Sequence, residues 1–179
     1  EGWNLCDEKT LALLEKIKSK GIPLGEYVNT GYFSGIKTGL DSTFVIDSII
    51  ANNIISMDEK YKEILQPYLA GRDIGRYKFL VSNKYVIFMP KGWTNEKSHG
   101  HKNKSEWFQK EYSLIYNHLL KFESEAKKRY DQGDYWWELR ACDYYTELKK
   151  NKIMYNKFQV KPLFIYDREG FYANTAVFS

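Results

Sequence analysis

Residues 31–47 read GYFSGIKTGLDSTFVID. Glycines fall at Gly31, Gly35 and Gly39 and bracket one cation, Lys37, and one hydroxyl, Thr38. Phe44-Val45-Ile46 follows as a short apolar run that suits a buried strand. Glycine permits positive φ and close backbone approach. The stretch therefore predicts a tight, exposed turn that holds Lys37 and Thr38 at the rim of a strand. Free N–H groups beside a lysine attract anions, so such a turn suits a phosphate or a nucleic-acid backbone. A P-loop is excluded. That motif needs G-x-x-x-x-G-K-[ST] ahead of a helix, whereas here Ile36 separates Gly35 from Lys37. The bland alternative is a structural glycine turn between two strands.

The rest of the chain has to be compatible with that turn. Its 179 residues suit one domain, or a domain with an appendage, and the first residue is not Met. We expect a piece of a longer protein. Net charge is +4, and aromatics make up 17% of residues, including 15 Tyr and 5 Trp. Rings mixed with Lys and Arg suit base stacking as well as a core. Cys6 and Cys142 form no C-x-x-C pattern, which predicts free thiols. No apolar run is long enough to span a membrane, and no signal peptide is visible. The expectation is a cytoplasmic protein with no membrane partner.

Outward from the glycine turn, Asp7 to Lys20 reads as a helix with Leu11, Leu14 and Ile17 on one face, stopped by Gly21 and Pro23. We read residues 1–24 as a linker helix from a preceding domain. A second helix is expected from about Asp58 to Leu69, ended by Gly71. Gly71-Arg72-Asp73-Ile74-Gly75-Arg76-Tyr77 then places two arginines and a tyrosine on a glycine-bracketed loop. Arginine suits bidentate contact with phosphate or guanine. The alternative is a solvated turn with Arg72 paired to Asp73 or Glu63. Lys84 to Met89 predicts a strand. Pro90 to Ser105 reads as a polar surface loop, and its His99 and His101 lack the companions of a metal site. Glu106 to Tyr130 carries Phe108, Tyr112, Ile115, Leu119, Phe122 and Ala126 at helical spacing. That helix ends in Lys127-Lys128-Arg129, read as a solvated, dipole-matched terminus.

Tyr135-Trp136-Trp137-Glu138-Leu139-Arg140 pairs adjacent tryptophans with an arginine. In an extended segment they face opposite ways, one buried and one available for stacking. The alternative buries both and ties Arg140 to a buried carboxylate. Asp143 to Lys150 predicts a short helix. Lys152 to Phe158, Leu163 to Asp167 and Phe171 to Phe178 predict strands, with Asp167-Arg168-Glu169-Gly170 as a hairpin turn. Neither G-x-S-x-G nor H-E-x-x-H occurs, nor does Asn-Pro-Pro-Tyr or Asp-Pro-Pro-Tyr. No catalytic residue and no metal ligand is assigned.

Four pieces in order carry a family resemblance. They are Gly35-Ile36-Lys37-Thr38-Gly39-Leu40-Asp41 with Phe44-Val45-Ile46; Leu69-Ala70-Gly71-Arg72-Asp73-Ile74 with Arg76-Tyr77; Trp136-Trp137-Glu138-Leu139-Arg140 with Lys152-Ile153-Met154-Tyr155; and Gly170-Phe171-Tyr172-Ala173-Asn174-Thr175. Over residues 25–179 the chain resembles the TaqI-like specificity domain. This is the target recognition domain of adenine-N6 DNA methyltransferases and type IIG restriction-modification enzymes.

The resemblance implies a mixed α/β (α+β) fold, with a twisted, mostly antiparallel sheet and flanking helices, that continues past the last strand. It implies double-stranded DNA as partner and a methyltransferase domain of the same parent chain beside it. The implied parent is an adenine-specific DNA methyltransferase, a type II restriction endonuclease, or both. No cofactor is expected in this piece, whereas the parent is expected to use AdoMet, and Mg²⁺ if it is a nuclease. The residues expected at DNA are Lys37, Thr38, Arg72, Arg76, Tyr77, Trp136, Trp137, Arg140, Tyr155, Lys157 and Asn174. The rival reading is a non-catalytic protein-interaction or structural α/β domain, with the aromatics as core.

Overall fold

A computed structural model describes residues 7–28, 31–75 and 80–179. The chain divides into two units, Glu1–Tyr32 and Phe33–Ser179. In the first, α1 (Glu8–Lys20) starts where Asp7 accepts from the Thr10 amide at 2.8 Å, and it buries no residue. Asp7 thereby caps the helix as its side-chain chemistry favours. A single turn, α2 (Leu24–Tyr27), follows Pro23.

The second unit mixes helices with two sheets, which bears out the expected α/β class. Its first sheet is four-stranded, in the order β1 (Val45–Asp47), β3 (Lys84–Ile87), β2 (Leu65–Leu69), β6 (Tyr172–Ala173). Only β2 and β6 run parallel. The second sheet is antiparallel, in the order β5 (Phe164–Asp167), β4 (Lys152–Asn156), β7 (Val177–Phe178).

The expected helix over residues 58–69 is corrected. The helix is α4 (Ser48–Met57), capped by Asp47 through the Ile49 amide at 2.9 Å. A 3-10 turn follows at Glu59–Glu63, and residues 65–69 are the strand β2. Pro67 explains why. Inside a helix it would clash and leave a carbonyl unpaired. In β2 it lies outside the short pairing with β6, which covers only Tyr68 and Leu69.

The loop expected over residues 90–105 is also corrected. It contains α5 (Trp93–Lys97), whose Trp93 and Thr94 are buried, and it leads into α6 (Lys104–Glu111). The long helix expected over residues 106–130 is three pieces, α6, α7 (Ser113–Leu120) and α8 (Glu123–Ala126). The backbone leaves helical geometry at Tyr112 (φ −124°, ψ 45°) and Phe122 (φ −118°, ψ 13°). The stripe itself survives the breaks, since Phe108, Tyr112, Ile115, Leu119 and Ala126 are all buried. Residues 143–150 hold turns and a 3-10 segment at Glu147–Lys149 instead of an α-helix.

Residues 167–170 do turn the chain, but not into a hairpin. The Asp167 carboxylate accepts from the amides of Glu169 (2.9 Å), Gly170 (3.1 Å) and Phe171 (2.9 Å), and from the Lys152 ammonium. Those bonds send the chain out of the second sheet and into the first, where β6 joins β2. The chain then returns to the second sheet at β7. The strand expected over residues 171–178 is therefore two short strands in different sheets.

Candidate nucleic-acid interface

The loop from Gly35 to Asp41 is built onto the turn between β6 and β7. The Ile36 amide donates to Ala173 O at 2.7 Å and the Gly35 amide to Val177 O at 3.0 Å. The approach is so close that a Cβ on Gly35 would sit 2.2 Å from Asn174 O. Gly39 adopts φ +72°, the left-handed conformation that glycine takes without strain. The loop is thus tight and lies at a strand rim, as its sequence predicts, but it is not exposed throughout, since Gly35, Ile36 and Thr38 are buried and only Lys37 and Gly39 of residues 35–39 are exposed. It gives way to one helical turn, α3 (Asp41–Phe44), before β1.

Two adjoining clefts open at this junction. One, of about 350 Å³, is lined by residues 36–41 with Asn174 and Thr175. The other, of about 540 Å³, is lined among others by Tyr68, Gly71, Arg72, Lys84 and Ala176. Asp41 and Asn174 line both. Four of the expected residues, Lys37, Thr38, Arg72 and Asn174, therefore meet here from three distant segments.

Their exposure differs. Lys37 and Arg72 are exposed. Thr38 is buried, and its hydroxyl donates to Asp41 and accepts from the Leu40 amide at 3.2 Å. Thr38 therefore shapes the loop from beneath, and its expected place at DNA is corrected by this burial. Asn174 caps its own turn by accepting from the Ala176 amide at 3.3 Å. The Tyr68 hydroxyl, on the cleft wall, is buried and has no hydrogen-bond partner, and burial, helped by Asp41, pushes its pKa upward.

What holds this loop is Arg129, read from sequence as a solvated helix end. It is 7% exposed. Its guanidinium donates to five carbonyls: Thr38 O at 2.5 Å, Trp136 O at 2.7 Å, Glu138 O at 2.9 Å, Asp131 O at 3.1 Å and Ala126 O at 3.3 Å. The guanidinium carbon also lies 4.1 Å from the Phe44 ring centroid. Burial pulls its pKa down to about 10, with the Asp131 charge opposing, so it stays protonated at neutral pH. The available signal was spacing, since Arg129 stands three residues past Ala126 on the apolar stripe. Its neighbours Lys127 and Lys128 are exposed, as expected of a helix end.

Glu138 is a second residue whose role the sequence hid. It is fully buried and accepts from the amides of Thr94 (2.8 Å), Asp134 (2.8 Å) and Gly92 (3.2 Å). It fastens the Trp136–Arg140 segment to α5. Of the two tryptophans, Trp137 is the buried one. It stacks on Phe108 and Tyr135, and its indole N–H donates to Thr94 at 2.9 Å. Trp137 is thus core, and its expected place at DNA is corrected by this burial. Trp136 is half-buried, edge-on to Trp137. Neither ring lines the clefts.

Arg140 approaches the site through Asp131, its Nε 4.0 Å from Asp131 Oδ1, while Lys37 Nζ lies 2.9 Å from Oδ2. Tyr155 and Lys157 belong to the second sheet. The Tyr155 ring lies between those of Phe164 and Phe178. The Lys157 amide donates to Ala176 O at 2.7 Å, so Lys157 adjoins the larger cleft without lining it. Arg76 and Tyr77 lie outside the described residues. Among the described residues, no group of three or more His, Cys, Asp or Glu side chains could hold a metal. Also among them, no helix is long and apolar enough to cross a membrane.

Comparison with protein families decides the relationship. The model of the TaqI-like C-terminal specificity domain matches residues 66–179. The chain belongs to this family. The matched region of this TaqI-like domain contains Arg72, Trp136, Trp137, Arg140, Tyr155, Lys157 and Asn174. The Lys37 loop lies upstream of it, yet its backbone is bonded to Ala173 and Val177 within it. A search of characterised proteins finds no match to the chain. Family membership supports recognition of DNA sequence in a restriction–modification setting.

Proposed function

We propose that this chain is the target recognition part of an adenine-specific DNA methyltransferase of a restriction–modification system, alone or fused to an endonuclease. The observation that carries the proposal is the junction of the two clefts. There a TaqI-like specificity domain gathers Lys37, Arg72, Lys84 and Asn174 around one opening. Lysine and arginine at phosphates set the register of a duplex, and arginine and asparagine suit guanine and adenine edges in the major groove. Methyl transfer belongs to a separate domain of the parent with its AdoMet, and any cleavage to a nuclease domain with Mg²⁺. The residues here bind and orient the duplex. Residues 25–179 form the reading domain, and residues 1–24 the helix that links it to its neighbour.

Fluorescence anisotropy of a labelled duplex, titrated at several salt concentrations, tests this. With three cations at the clefts, log K should fall against log salt with a slope of about −3. Binding indifferent to salt would refute the proposal and favour the protein-interaction alternative. Incubated with labelled AdoMet and a duplex, the chain alone should transfer no methyl group.

A further inference from the structure

Lys37 and Arg140 are the exposed cations nearest to one carboxylate, and they share it. Asp131 Oδ2 lies 2.9 Å from Lys37 Nζ, and Oδ1 lies 4.0 Å from Arg140 Nε. We propose that Asp131 is a specificity-determining residue. It occupies both cations in the free protein and yields them only to a duplex seated closely enough to draw them away. The inference rests on the DNA-reading function proposed above.

The geometry says which partner moves. The Asp131 side chain is only 12% exposed, against 54% for Lys37 and 42% for Arg140. Its backbone is pinned, because its carbonyl accepts from the buried Arg129 at 3.1 Å. Gly39 packs over it so closely that an added Cβ would lie 3.3 Å from the Asp131 Cβ. The carboxylate therefore stays. Lys37 and Arg140 have long arms and are the more exposed partners. The Arg140 Nε is buried with no hydrogen-bond partner, so charge and not a bond holds the guanidinium near Asp131. Re-aiming it sacrifices no hydrogen bond at that atom.

A phosphate that recruits Lys37 must therefore meet a fixed negative charge beside it. A duplex that offers only its backbone gains little from the exchange. One that also makes base contacts offsets the repulsion. A repulsive element of this kind lowers affinity for every duplex but suppresses the wrong ones most. A half-exposed ion pair is weak enough for the exchange to occur, and its removal should change affinity by about two- to fivefold.

The experiment compares wild type, Asp131→Asn, Lys37→Ala and the double variant by anisotropy on a mixed-sequence duplex, across a salt series. Asp131→Asn should bind about two- to fivefold more tightly. Lys37→Ala should remove most of that gain. Selection from a randomised duplex pool should return a broader set of sequences with Asp131→Asn than with wild type. Unchanged affinity in Asp131→Asn, or a gain that Lys37→Ala leaves intact, would overturn the inference while wild-type binding still upheld the DNA-reading function. A wild-type chain that binds no duplex would overturn both. Should Asp131→Asn fail to fold, the wild type carries the test. Its Lys37 ammonium NMR signal, assigned by its loss in Lys37→Ala, should shift when duplex is added, and an unmoved signal would overturn the inference.

Discussion

Replacing Arg129 with Met should unfold the site before it unfolds anything else. The guanidinium satisfies carbonyls from four segments: the end of α8, the Lys37 loop, the Asp131 turn and the Trp136–Glu138 stretch. Those carbonyls are main-chain groups and cannot be exchanged for apolar ones. Met fills a similar volume but leaves them unpaired. Each buried orphan costs about 1–3 kcal/mol, and water entry will relieve part of the sum. Loss of one member of a buried charged network costs about 3–5 kcal/mol, which we adopt here. For a chain of this size that corresponds to a fall in Tm of about 6–20 °C. Arg129→Lys should recover only part of it, because a single ammonium cannot fork to carbonyls in several directions. Calorimetry gives the total. Amide exchange at Gly39 and Leu40 shows whether the loop loosens first. A Tm within 2 °C of wild type in Arg129→Met, by the same conversion a cost under about 1 kcal/mol, would refute the view that this side chain holds the loop.

Four further outcomes are expected. Gly35→Ala drives a Cβ to 2.2 Å from Asn174 O, which is backbone, and should cost about 3 kcal/mol or more by denaturant melting, since overpacking here cannot be relieved by a rotamer change. Trp137→Ala should lose about 3–5 kcal/mol and Trp136→Ala clearly less; equal losses would contradict the assignment of Trp137 as the core ring. Lys37→Ala should weaken binding to every duplex, most for one whose base contacts draw Lys37 away from Asp131, and unchanged binding, seen by competition, would show that Lys37 touches no phosphate. Stability should fall as pH rises above about 10, the ordinary tyrosine value. Burial raises the pKa of Tyr68, Tyr145 and Tyr172, and that of Tyr112 to about 12, so the unfolded chain loses these protons first. Their contribution is complete below the ordinary tyrosine pKa and is lost above it. Arg129 and Lys152, whose pKa values burial lowers, act in the opposite sense but are two against four. Tyrosinate absorbance should show the four titrating well above pH 10 while the chain is folded; their ionisation at the ordinary tyrosine value in the folded state would refute this.

The glycine turn, the span of α1 and the buried stripe were legible because each depends on neighbours in sequence. Asp7 bonds to Thr10, and Gly39 needs only its own φ. Sequence could also place Lys37, Arg72 and Asn174 in motifs, and the fold brings those to one opening. What could not be read was partnership over long separations. Arg129 looks like its exposed neighbours Lys127 and Lys128 until Thr38 arrives beside it. Glu138 carries no sign of its burial until the amides of Gly92 and Thr94, more than forty residues away, reach it. The mistaken helix over residues 58–69 ran through Pro67, which excludes an interior helical turn. The mistaken hairpin came from turn chemistry that is real but does not say which strand the chain joins next.

The passage of the last segment between two sheets has a consequence for how the molecule comes into being. β6 is the parallel neighbour of β2, and Tyr172 must find Tyr68 across most of the second unit. Loop closure on that scale is entropically expensive, and parallel pairing over such a separation is slow. Asn174, a wall of both clefts, follows β6 directly. During synthesis the helices around Phe108 and the β2–β3 pair can assemble while the later residues are still being added. The opening itself cannot. A nascent chain thus carries its positive charges for some time without a shaped place to use them, and gains the ability to grip a duplex in a single late step.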